Sequence, residues 1–191
     1  MELTTMSEQI SEEKSKIDEY LNVIQGRIVE PIQNSDIDRY CTATLLLLFA
    51  AIDGLGKLIH DDDKAPPSKR IGVFLDYMGD NYRTCKKELL NLRNSLVHNA
   101  INVASFMSND EIGSDKHLTT IGSTDFFYVN TKTMYQDFIR AFEGLREEFE
   151  NDYAKLSRAA QRLKWEEVDV EDHNLDVSPS PPPPVQFIYA R

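Results

Sequence analysis

The sequence predicts an all-α protein: a four- to five-helix bundle with a small β-prone hairpin insert after the fourth helix. Three observations point there. Apolar residues recur at three- and four-residue spacing through most of the chain. The stretch from Cys41 to Ile52 is apolar nearly all round, which suits a helix in the middle of a bundle rather than on its surface. After Asn99 the pattern shifts to alternation, the period of a strand, before helical spacing resumes at Thr131.

The elements follow in order. A first helix is expected from Ser7, with Glu8, Glu12 and Glu13 near its positive end and Ile10, Ile17, Leu21, Ile24 and Ile28 on one face. Pro31 should end or break it. Asn34, Ser35 and Asp36 restart a second helix that runs to about His60, and the segment from Asp61 to Pro67 is a loop. Ser68 is expected to cap a short third helix carrying Ile71, Phe74, Leu75 and Met78. A turn from Gly79 to Asn81 leads into a fourth helix from about Tyr82 to Asn99. The alternating residues Ile101, Val103, Ser105 and Met107, then Leu118 and Ile121, then Phe126 to Val129 read as a hairpin or three-stranded flap. Asn130 or Thr131 caps a last long helix to about Trp165, with Tyr135, Phe138, Ile139, Phe142, Leu145, Phe149, Leu156 and Leu163 as its buried stripe. The helical domain is therefore placed at 1–165. An acidic and Pro-rich tail occupies 166–191, with Pro179 and Pro181–Pro184 disposing it to an unpacked polyproline-like course.

Composition narrows function. The 191 residues carry 32 acidic and 21 basic side chains, a formal net charge of -11. A broad electrostatic grip on nucleic acid needs a basic surface and is not expected, although a local phosphate site is compatible with this charge. Two cysteines, Cys41 and Cys85, make no disulfide framework and no Cys-x-x-Cys pair, so a reducing cytoplasm is expected and a zinc site is not. The acidic N-terminus carries no apolar signal segment. The run Leu45 to Ile52 is far short of the roughly 20 residues of a membrane span, so no membrane partner is expected.

Chemistry concentrates in the fourth helix. At about 100° per residue, Leu89, Leu92, Leu96 and Val97 share an apolar face and Arg93 falls within it. Asn91, Asn94, Ser95 and His98 lie on the other side, with Asn94 and His98 one turn apart. A guanidinium in an apolar stripe must snorkel, meet a carboxylate or line a polar cleft, because burying it unpaired is costly. Asp53, where the second helix leaves its apolar stretch, is a candidate to pair with Arg93 and orient it; the alternative is a solvated carboxylate. Lys57, one turn on, reads as a surface charge rather than a phosphate contact.

The string Arg93-Asn94-x-x-x-His98, with the apolar second helix carrying Ala51-Ile52-Asp53-Gly54-Leu55-Gly56-Lys57-Leu58, resembles the HEPN superfamily over residues 36–165. The resemblance implies a helical bundle, commonly dimeric, and a metal-independent endoribonuclease, without cofactor. In such an enzyme the ribose 2′-OH attacks the neighbouring phosphate. His98 would carry the proton, Arg93 would hold the phosphoryl oxygens with its forked donors, and Asn94 would bond to His98 or to substrate. The resemblance also implies a two-fold homodimer with a composite site, an RNA or nucleotide ligand, and, for a toxin or defence effector, a cognate antitoxin. The competing reading is a catalytically silent binding or scaffold module, which the acidic charge favours.

Other signals carry less. His60 with Asp61, Asp62 and Asp63 reads as a helix stop and solvated loop rather than a metal cluster. Gly54-x-Gly56-Lys57 lacks phosphate-loop spacing, and its glycines suit close helix packing. His117 and His173 are expected to stand alone and exposed.

Overall fold

The computed structural model describes residues 2–37, 40–62, 64–99, 105–108, 116–120 and 127–163. The tail 166–191, His173, Asp63 and the expected strand residues Ile101, Val103, Ile121 and Phe126 lie outside the described residues. What is described is mostly helical, with a small sheet between the helices.

Helix α1 (Glu2–Ile24) does not end at Pro31. It passes through a π-helical turn (Gln25–Val29) into a last turn, α2 (Glu30–Gln33). The wide turn explains how. Pro31 has no N–H and its ring crowds the carbonyl four residues back, and the π geometry shifts the bonding so that Glu30 N–H reaches the Gln25 carbonyl instead. Proline then sits in the first turn of α2, where a missing donor costs little.

Helix α3 (Cys41–Ile59) buries Leu45, Leu48, Phe49, Ile52, Leu55 and Leu58 and forms the centre of the bundle. By length and mean hydropathy, 1.7, it would suffice to cross a membrane, and half of that window is buried inside the bundle. Helix α4 (Pro67–Met78) packs along it. Its N-cap is Pro66, with extended backbone, and Ser68 lies inside the first turn instead of capping it. Gly56 makes this packing close: a Cβ there would lie 2.1 Å from the Arg70 carbonyl oxygen. The chain turns at Gly79, whose φ of 127° suits glycine, and is helical again at once in α5 (Asp80–Thr84) and, after a break at Cys85, in α6 (Lys86–Asn99). The expected turn from Gly79 to Asn81 and the single fourth helix are thus corrected to a one-residue turn and two helices.

Strands β1 (Ser105–Ser108), β2 (Thr119–Thr120) and β3 (Phe127–Asn130) form a sheet ordered β1-β3-β2. β2 and β3 pair antiparallel, as a hairpin, while β1 joins the other edge of β3 in parallel with Ser105 opposite Phe127. Asn130 caps α7 (Thr131–Asn151), accepting the Thr133 N–H at 2.8 Å. Met134, Phe138, Phe142, Leu145 and Phe149 bury its core face, and Tyr135 and Ile139 are half-buried at its border. Each full burial is worth about 1.5–3 kcal/mol. The last long helix is not continuous. Asp152 leaves helical geometry and caps α8 (Tyr153–Arg162), accepting the Lys155 N–H at 3.1 Å. Helix α8 turns back on the bundle, burying Leu156, Ala159 and Ala160, and its Arg162 Nη1 donates to the Leu58 carbonyl at the end of α3 at 2.7 Å.

Candidate active site

Leu89, Leu92 and Leu96 are buried to within 1% and clamp α6 to the bundle. That anchoring fixes what the opposite face presents. Asn91, Asn94 and His98 are all exposed. Val97, expected on the apolar face, is 49% exposed beside them. It sits furthest round from the buried leucines, past Arg93, so the buried arc ends before both.

Arg93, expected in the apolar stripe and bound to snorkel, meet a carboxylate or line a polar cleft, is half-buried at this border. Its Nη1 donates to Asn94 Oδ1 at 3.1 Å, a solvent-facing bond between neighbours that draws the guanidinium toward the polar side. The helix thus brings Arg93 and Asn94 together and sets His98 one turn above Asn94, in the last turn. Arg93 and His98 are five positions apart and so roughly 140° apart round the helix, with Asn94 between them. The guanidinium can hold an oxyanion and the imidazole can exchange a proton.

The expected pairing of Asp53 with Arg93 is corrected: Asp53 belongs to Arg70. Arg70 donates Nε to Oδ1 at 2.7 Å and Nη2 to Oδ2 at 2.9 Å, a bidentate fork, and Nη1 to the Ala65 carbonyl at 3.3 Å. The physical reason is Gly56. It lets the α4 backbone touch α3, which puts Arg70 within reach of the carboxylate one turn earlier. The bond to Asp53 holds the Arg70 guanidinium above its ordinary pKa. Gly54 likewise makes room for the Tyr20 hydroxyl, 2.6 Å from where a Cβ would lie. Burial, then the Asp53 charge, pushes that hydroxyl's pKa up.

His60 has a local partner: its Nδ1 accepts the Asp62 N–H at 2.9 Å in a turn. Among the described residues no group of three or more His, Cys, Asp or Glu side chains is placed to hold a metal.

His117 is neither alone nor exposed. Its Nδ1 accepts the Asn130 N–H at 3.0 Å, and its Nε2 lies 2.9 Å from the Tyr82 hydroxyl, which donates to Asp137 Oδ2 at 2.7 Å. Burial lowers its pKa to about 4 against the opposing pull of Asp137. This network was missed because Tyr82, His117, Asn130 and Asp137 are too far apart in sequence for any spacing rule. The only local signal was Asn130 as a cap. It ties the sheet to α5 and α7, and with both ring nitrogens engaged His117 has no free site for proton exchange.

No family model, curated protein or solved structure matches the chain.

Proposed function

We propose that the protein is a metal-independent endoribonuclease of HEPN type, acting as a homodimer on cytoplasmic RNA in a toxin or defence role, with a cognate antitoxin as partner. One observation carries the reading: on a helix anchored by three buried leucines, Asn94 and His98 are exposed one turn apart, and the half-buried Arg93 guanidinium is turned toward them by its bond to Asn94. The reaction this set suits is 2′-OH attack. The 2′-oxygen bonds to phosphorus, its proton passes to one imidazole, and the P–O5′ bond breaks. A second imidazolium protonates the leaving oxygen, and the products are a 2′,3′-cyclic phosphate and a 5′-hydroxyl. Arg93 stabilises the charge on the non-bridging oxygens. One chain supplies one His98, so the second proton carrier comes from a second copy.

The net charge of -11 favours the other reading, a silent binding module, since a nuclease must recruit a polyanion. Purified protein incubated with a broad RNA panel in excess chelator separates the two. Cleavage is expected to persist, to spare the same sequence made as DNA, and to fall roughly 100-fold or more in His98→Ala, the scale of a general acid–base group. No cleavage, or equal cleavage without His98, hands the protein to the binding-module reading.

A further inference from the structure

A cavity of about 410 Å³ opens between the end of α3, α4, the end of α7 and α8, and no residue of α6 lines it. That volume is in the ordinary range for small-molecule sites. Its apolar surface comes from Leu58, Ile59, Val73 and Phe149, of which Leu58 and Phe149 are buried. Its mouth is set by α8. Lys155, Arg158 and Arg162 fall within one 60° arc of that helix, beside the stripe of Leu156 and Ala159 that packs into the core.

The charges there are not all spent. Three carboxylates also line the cavity. Glu148 is taken by Lys155. Asp76 pairs through Oδ2 with Lys86 at 2.6 Å, while its Oδ1 lies 3.4 Å from Arg83 and is buried without a hydrogen-bond partner, so the anionic head is placed at the α8 side of the cavity, away from it. Asp61 is almost fully exposed and lies 3.7 Å from Arg162 Nη2, too far for a hydrogen bond. Arg162 therefore spends Nη1 on Leu58 and keeps Nη2 without a hydrogen-bond acceptor. Arg158 spends only Nε, on the Ala154 carbonyl, and its terminal nitrogens have no acceptor among the described residues. Two guanidinium ends with spare donors, one helical turn apart, thus stand over an apolar cavity.

We infer that this cavity is a binding site for a small amphipathic carboxylate, its anionic head held between Arg158 and Arg162 and its hydrocarbon body lying against Leu58, Val73 and Phe149. A cationic ligand would meet the same guanidinium ends with repulsion, and a neutral one would leave their donors unmet. The site is independent of any ribonuclease activity.

Octanoate, octylamine and 1-octanol titrated into the full chain, followed by two-dimensional amide NMR, test this. Octanoate should give saturable one-to-one shifts centred on Val73, Tyr77, Phe149 and Arg158. Octylamine and octanol should bind about ten-fold more weakly or worse, the scale of a lost charge-assisted hydrogen bond. Arg158→Glu, at an exposed position, should weaken octanoate to a similar degree, and Val73→Trp should abolish binding by filling the cavity. If Val73→Trp fails to fold, Arg158→Glu decides alone. No saturable binding, octylamine equal to octanoate, or full affinity in Arg158→Glu overturns the assignment.

Discussion

At residue scale, His117 shows how a buried hydrogen-bond pattern fixes a protonation state. Because Nδ1 accepts the Asn130 N–H, the ring proton sits on Nε2 and faces the Tyr82 oxygen, which passes its own proton toward Asp137. A second proton on Nδ1 would point at a donor. Asp137 pulls the other way and is itself paired with Arg140. With a folded pKa of about 4 against an ordinary 6.5, the group's contribution is present above pH 6.5 and is lost as pH falls through 4, because the unfolded chain then binds a proton the folded one refuses. The loss from this residue should be about 2 kcal/mol between pH 7 and pH 5. Denaturant midpoints across that range should fall more steeply in wild type than in His117→Gln, and equal slopes would refute the linkage. Nothing near His117 in sequence announces this, since its partners are brought by three different elements. Arg93 was half legible: the wheel put it at an apolar face, and only packing showed that the buried arc ends at its edge.

At element scale, periodicity revealed most helices because a buried stripe is a local property of the chain. The stripes of α3 and α7 were readable for that reason, and so was the Asn130 cap. The breaks were less legible. Asp152 interrupts a helical stripe with no proline or glycine, through its side chain capping α8. Of the two outcomes open at Pro31, an end or a break, the chain takes the break: a π turn interrupts the α-helix before the proline and the course continues to Gln33. The three β-prone runs were visible, but the parallel edge pairing of β1 on β3 joins residues more than twenty positions apart and follows from no turn signal. The glycines of α3 were legible as packing residues, and Gly56 gives a clean test. Alanine is the better helix former by about 1 kcal/mol, so propensity alone makes Gly56→Ala stabilising. Its Cβ would meet backbone that cannot swing aside. The variant should therefore lose about 2 kcal/mol or more as α3 and α4 are forced apart, and should weaken the Asp53–Arg70 fork with them. A denaturant midpoint at or above wild type would refute the close-packing account.

At the scale of the whole molecule, the proposed chemistry is too much for one chain. A single Arg93 and a single His98 give one cation and one proton carrier, whereas in-line transfer uses a base at the attacking oxygen and an acid at the leaving one. The exposed face of α6 offers the means to supply both. Val97, half-exposed among Asn91, Asn94 and His98, is an apolar contact point on an otherwise polar surface. Two copies meeting there about a two-fold axis would place both sets of groups in one cleft. Light scattering at micromolar concentration should give a dimer, and a monomer would refute the arrangement. A stronger test separates a shared cleft from two separate sites. Wild-type chains and an excess of His98→Ala chains are unfolded together and refolded as a mixture, so that nearly every wild-type chain sits in a mixed dimer. With a shared cleft each mixed dimer keeps only one of the two proton carriers, and cleavage per wild-type chain should fall by roughly 100-fold or more, the scale of a lost acid–base group. If each site used only its own chain, every wild-type chain would keep a complete site, and cleavage per wild-type chain should stay unchanged.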